Sequence, residues 1–353
     1  MEIHSEFMRR CLQLAELGRG FVSPNPMVGA VLVYEGRIIG EGYHQQIGGP
    51  HAEVNAISSV APADQNLISE ATLYVSLEPC NHHGKTPPCS DLVLKMGIRK
   101  VVIATLDPFV KVNGTGYTKL KNAGVEVVVG VLEEEAKKMN ERFFCNQKES
   151  RPYIVLKWAQ TQNGLLSAEN GMPLKISCDL TNRLVHKWRS EEDGICVGLN
   201  TVRKDDPQLN NRLWSGKDPI RIIFDPEGRL PDTSKVLQGV QKTIVFNHVK
   251  QEKREHVEFV CLERNELWMK QALEILLEKG VGSLLVEGGA ITHKHFIETG
   301  MWDEARIIVS DFAYPGDAQA CTSAPILKHE ILSNSVRLGT DVINYYHKKE
   351  FSK

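Results

Sequence analysis

Two successive series of short β-branched runs, separated by helical patterns, constrain this chain more than any other feature. In the first series, runs at 28–34, 72–77, 100–105 and 125–129 alternate with amphipathic segments. One of these, 2–18, places apolar residues at 3, 7, 8, 11, 12, 14 and 15 and closes on a glycine; another, 133–144, is a charged amphipathic helix. This rhythm predicts a mostly parallel, helix-covered sheet. The polar stretch NQKESRP (146–152) then breaks the pattern before a new strand at 153–159, so the boundary is placed between 148 and 149. A second series follows, with strands at 194–198, 220–224, 243–247, 283–287 and 305–312 and helices near 179–189 and 266–278. Both halves are α/β, and a length of 353 residues suits two cores.

Composition excludes several functions. Lys plus Arg (42) nearly balances Asp plus Glu (44), so no global basic field of the kind duplex binders use is present, and nucleic acid is not an expected partner. No run approaches the ~18 apolar residues of a membrane span. Residues 1–10 carry Glu2, His4 and Glu6 in place of a signal peptide's apolar core, and the expected compartment is the cytoplasm. A homo-oligomer stays open. Of eight cysteines, only Cys80 and Cys89 lie close in sequence; a reducing compartment is expected to leave most of them as small buried hydrophobes.

That pair belongs to a larger pattern. His51-Ala52-Glu53 opens a helical segment, HAEVNAI, and Pro79-Cys80 follows a strand. One imidazole and two thiolates suit Zn²⁺ and leave a fourth position for water, as catalytic rather than closed sites do. Both cysteines sit where a helical pattern begins, a setting that favours thiolates. Glu53, two residues from His51, is placed to shuttle a proton rather than to ligate. A lone His or Cys is more often a core residue, and a purely structural zinc site stays possible for these three. The order H-x-E then P-C-x-x-C is the signature of zinc nucleobase deaminases; here eight residues, NHHGKTPP, separate the cysteines, so a folded-back loop has to bring the sulfurs together.

The segments SPNPMVGAVLV (23–33), GYH (42–44), HAEVNAI (51–57) and LEPCNHHGKTPPC (77–89) closely resemble the bifunctional deaminase/reductase family of riboflavin biosynthesis. The resemblance continues through RPYIVLKWA (151–159), LVHKWRSEEDGICVGLNTVRKDDPQLNNR (184–212), DPIRIIFD (218–225) and LLVEGGA (284–290), covering nearly the whole chain. It implies a cytidine-deaminase-like three-layer α/β/α domain at 1–148, followed by a dihydrofolate-reductase-like α/β domain at 149–353. The implied chemistry is hydrolytic deamination of a diamino-pyrimidinone carrying a ribosylamino 5′-phosphate, then NADPH-dependent reduction of the ribose to a ribityl chain. By the same resemblance His51, Cys80 and Cys89 hold Zn²⁺, Glu53 is catalytic, and Asn25 and His44 match substrate contacts. The long loop supplies phosphate donors, with His82, His83 and Lys85 as candidates. A cytidine or tRNA-adenosine deaminase with an unrelated appendage is the alternative, although such enzymes usually keep the two-residue cysteine spacing.

In the second half the glycine pair after the strand, Gly288-Gly289, is the one feature that points to phosphate on residue grounds, and no G-x-G-x-x-G is present. The resemblance implies cofactor contacts at Ala159, Thr201, Asp205, Gly289, Ala290, Ile291, Thr292, His293, Lys294 and His295. It implies substrate contacts at Arg189, Leu209, Arg212 and Glu287; the arginines present planar forks suited to a sugar phosphate. Three places differ from the family pattern: Thr161-Gln162-Asn163-Gly164, Lys175, and Pro226 after Asp225.

Overall fold

In the computed structural model the described residues are 2–81, 87–108 and 113–349. The chain divides between Ser150 and Arg151 into two compact units.

The first unit contains α1 (Glu2–Glu16), β1 (Gly29–Tyr34), β2 (Arg37–Tyr43), α2 (Ala52–Ser58), β3 (Thr72–Val75), α3 (Cys89–Lys95), β4 (Lys100–Ile103), α4 (Thr115–Asn122), β5 (Glu126–Val129), α5 (Glu133–Met139) and α6 (Glu141–Glu149). Its sheet runs β2-β1-β3-β4-β5. Strand alternation sends Leu32, Leu73, Val101 and Ile103 to one face against α2, α3 and α4, while Val31, Val33 and Val102 face α1 and α5. Burial on both faces is why the strands read as continuous apolar runs, and it makes the unit a three-layer α/β/α sandwich. The expected mostly parallel sheet is corrected in one respect: β1 is antiparallel to both β2 and β3, and only β3-β4-β5 is parallel. For β1 and β2 the cause is a tight hairpin at Glu35-Gly36, both in the left-handed region (φ 46° and 77°), a geometry that fits a primed turn. The single helix expected at 133–144 is two helices, broken at Asn140. The Asn140 side chain accepts from the Met27 N–H at 2.8 Å and donates to the Met27 carbonyl at 2.9 Å.

The second unit contains β6 (Tyr153–Gln160), α7 (Asp179–Glu191), β7 (Gly194–Gly198), α8 (Leu199–Asp205), β8 (Ile220–Phe224), β9 (Thr243–Asn247), β10 (Glu252–Lys253), β11 (Val257–Cys261), α9 (Trp268–Glu278), β12 (Ser283–Gly288), α10 (Ala290–Glu298), β13 (Glu304–Ser310), β14 (Glu330–Leu338) and β15 (Asp341–Lys348). All join one sheet in the order β10-β11-β9-β8-β7-β12-β6-β13-β15-β14. The run from β11 to β13 is parallel; β10, β15 and β14 add antiparallel edges. One face packs Ile222, Phe246, Leu284 and Trp158 against Leu273 of α9 and Phe296 of α10; the other packs Ile195, Ile223 and Val245 against Val202 of α8. Among the described residues no helix is long and apolar enough to cross a membrane.

Candidate metal centre and reductase cleft

The first site forms where α2 and α3 begin at one end of the sheet. His51 caps α2, Glu53 lies in its first turn and Cys89 is the first residue of α3. Close packing of α2 on β2 fixes the His51 end, because side chains at Gly40 or Gly42 would run into the Ala56 backbone. Cys80 does not itself start a helix, contrary to expectation. It lies in the loop after β3, and its sulfur and carbonyl accept the first two amides of α3, Cys89 N at 3.3 Å and Ser90 N at 3.1 Å. The unpaired N–H groups of α3 thereby hold Cys80 beside Cys89. The His51 Nδ1 lies 3.6 Å from Cys80 Sγ and 3.3 Å from Cys89 Sγ. These three ligand atoms all fall within 4.8 Å of one another.

The electrostatics agree with metal binding. The hydrogen bond from the Cys89 thiol, helped by His51, holds the Cys80 thiol well below the usual thiol range, and Cys89 keeps the shared proton. The bond to Cys80 raises the His51 pKa. Glu53 is 3% exposed, and burial and then the Cys80 charge raise its pKa. A soft two-thiolate, one-imidazole set beside a buried carboxyl fits Zn²⁺. Asn25 and His44 are brought to the same place: His44 Nδ1 donates to the Pro50 carbonyl at 3.0 Å, its Nε2 accepts from Asn25 Nδ2 at 3.2 Å, and its ring centroid is 5.7 Å from that of His51. His82, His83 and Lys85 lie outside the described residues.

Glu78 was not singled out in the sequence. Its buried carboxylate accepts the backbone N–H groups of Asp107 (3.2 Å), Gly114 (2.9 Å) and Tyr117 (3.0 Å). It thereby ties Asp107, Gly114 and Tyr117 to the segment that carries Cys80.

The second unit holds a cleft of about 680 Å³, lined by Thr201, Asp205, Gly289, Ala290, Thr292 and His295, among others, and also by Ile291. Its size and the open N-terminus of α10 fit a dinucleotide, whose phosphates suit helix N–H groups. Ala159, His293 and Lys294 are not in its lining. His293 is buried behind it at 1% exposure, and Lys294 points to Glu298 at 3.8 Å on the outer side of α10. Pro226 lines the cleft and Lys175 pairs with Asp179 on the surface.

A charged cluster accompanies the cleft. Arg189 donates to both carboxylate oxygens of Glu287 at 2.7 and 2.8 Å and, through Nη1, to the Asn210 carbonyl at 3.0 Å. The backbone there is fixed by Leu209, whose φ is 52°. Arg212 donates through Nη1 to Asn210 Oδ1 at 3.0 Å and through its backbone to His186 Nδ1 at 3.0 Å. With Arg189 committed to Glu287, Arg212 is the more available cation. Burial alone would raise the Glu287 pKa, but Arg189 and Lys157 pull it down to about 2. Lys157, which sequence reasoning missed, stands 3.7 Å from Glu287, and burial lowers its pKa. The signal was present: a lysine inside the otherwise apolar strand IVLKWA.

Comparison with known proteins follows the same division. Residues 1–105 match the cytidine and deoxycytidylate deaminase zinc-binding region and residues 152–343 match the RibD C-terminal domain. The chain is 44% identical to "Riboflavin biosynthesis protein RibD" of Aquifex aeolicus over 87% of this chain and 86% of that one. It is 32% identical to the Escherichia coli protein of the same name over 91% of each. Among solved structures it is similar to a diaminohydroxyphosphoribosylaminopyrimidine deaminase/5-amino-6-(5-phosphoribosylamino)uracil reductase from Thermotoga maritima, with TM-score 0.87, 36% identity and coverage of 98% and 99%. It is also similar to Acinetobacter baumannii RibD, with TM-score 0.88, 30% identity and 99% coverage of each.

Fold and site together define a zinc-dependent deaminase joined to an NADPH-dependent reductase of the dihydrofolate-reductase type. A deaminase with an unrelated appendage is not favoured, because the second half matches the reductase domain over 152–343. The chain belongs to the RibD family of bifunctional riboflavin-biosynthesis enzymes.

Proposed function

We propose that residues 1–148 remove the exocyclic amine of 2,5-diamino-6-ribosylamino-4(3H)-pyrimidinone 5′-phosphate and that residues 149–353 reduce its ribosyl group. The observation that carries the first step is the convergence of His51, Cys80 and Cys89 beside the buried Glu53. His51, Cys80 and Cys89 would hold Zn²⁺, which supplies the Lewis acidity that makes water acidic near neutral pH. Glu53, with its raised pKa, accepts the proton at its carboxylate and delivers it to the leaving nitrogen. Asn25, oriented by His44, faces the pyrimidine, and His82, His83 and Lys85 receive the phosphate.

In the second unit NADPH supplies the hydride. Thr201, Asp205 and the first turn of α10 cradle it. Glu287, fixed by Arg189, orients the sugar, Lys157 holds the proton needed at the sugar oxygen, and Arg212 takes the phosphate. The test is Glu53→Gln. Zinc content stays at parent level while ammonia release falls by a factor of about 10² to 10⁴, the usual worth of a general acid–base. Ammonia release within tenfold of the parent would remove Glu53 from this role.

A further inference from the structure

The β6–β12 ladder stops one row short of the reductase site. Pairing runs from Ser283 opposite Tyr153 to Val286 opposite Leu156, and β12 changes register against β7 between Val286 and Gly288. The next row would set Glu287 beside Lys157, the two residues whose charges stand 3.7 Å apart. Where the ladder stops, a side chain takes over. Nε2 of His293, on the second turn of α10, lies 3.1 Å from the Lys157 carbonyl and 3.1 Å from the Val286 carbonyl.

Both partners can only accept, so Nε2 carries the hydrogen and shares it between two strands. The ring is buried at 1% exposure and packs edge-on to Trp158, centroids 5.2 Å apart and planes at 66°. Among the described residues its Nδ1 meets no hydrogen-bond partner within bonding geometry. The resemblance places His293 among cofactor contacts; the geometry puts its polar atom on the backbones of β6 and β12 instead.

We propose that His293 is a positioning residue for the reduction: its Nε2–H ties β6 to β12 and so sets the spacing of Lys157 and Glu287. It acts through those two residues and touches neither cofactor nor sugar. The inference rests on the reading of Lys157 and Glu287 as reductase residues.

The test uses the full-length zinc-loaded enzyme and three variants, His293→Gln, His293→Asn and His293→Leu. Gln carries an amide nitrogen to the ε position and Asn stops one carbon short. Misplacing reactive groups by around 1 Å can cost about 10²-fold, so kcat for NADPH oxidation should fall by roughly ten- to a hundredfold in Leu and Asn. The pH profile of kcat should shift with it, KM for NADPH should change by less than about threefold, and Gln should recover to within about threefold of the parent. Ammonia release, made in the other unit, should be unchanged in all three. If Leu does not accumulate as folded protein, the comparison of Gln with Asn decides. Equal kcat and equal pH profile in Gln and Asn would overturn the proposal, as would a Leu variant that matches the parent. Failure of the parent to oxidise NADPH with the deaminated substrate would instead overturn the reductase reading beneath it.

Discussion

At the scale of single residues, the deaminase centre depends on which groups ligate and which carry protons. Cys80 receives the first two amides of α3 and sits against His51. Cys80→Ser should therefore release zinc and abolish ammonia production, measured by metal analysis of the purified protein, whereas Glu53→Gln should keep the metal. The clustering of His51, Cys80 and Cys89 was legible because H-A-E, P-C and a further cysteine occur together at helix and strand ends, although each residue alone says little. Lys157 left one signal, a lysine inside an apolar strand, but its role, like that of Glu78, takes its meaning from partners more than 25 residues away, Glu287 for the one and the amides of Asp107, Gly114 and Tyr117 for the other.

His293 carries a pH prediction at the same scale. Burial lowers its pKa from 6.5 to about 4, so the folded state prefers the neutral ring. Below pH 6.5 the unfolded chain binds the proton more readily, and stability falls with pH until about pH 4. The contribution lost across that window is on the order of 3 kcal/mol. Urea unfolding of the reductase unit at pH 7 and pH 4.5 should show a smaller pH difference in His293→Gln than in the parent; an equal difference would contradict the assignment.

At the scale of elements, the loop around Glu78 is held by one carboxylate accepting three backbone amides. Glu78→Ala leaves one buried and two part-buried donors without their acceptor and should destabilise the deaminase unit by about 3 kcal/mol, read from denaturant midpoints at an unchanged slope. Glu78→Gln, which keeps an acceptor, should lose about half as much. The central strands and most helices followed from apolar periodicity, because both sheets are covered on two faces, whereas β2, β10, β11, β14 and β15, all at or next to a sheet edge, were not read from the sequence. The pattern does not reveal strand direction at β1–β2, which depends on two left-handed residues, Glu35 and Gly36. Nor does it reveal the split at Asn140, which depends on side-chain bonds to Met27 across 113 positions.

At the scale of the whole molecule, two compact units each carry their own proposed reactive groups: His51, Cys80, Cys89 and Glu53 before Ser150, and Lys157, Arg189 and Glu287 after it. The two activities should therefore separate. Removing zinc should stop ammonia release yet leave NADPH oxidation intact when deaminated substrate is supplied. The most direct measurement follows ammonia and NADPH together in one reaction, started with the diamino-pyrimidinone ribosylamino phosphate, with and without prior zinc chelation. The expected result is one ammonia released ahead of each NADPH oxidised, both abolished by chelation, with NADPH oxidation alone restored by adding the deaminated compound. NADPH oxidation without prior ammonia release, or ammonia release that survives loss of zinc, would contradict the account.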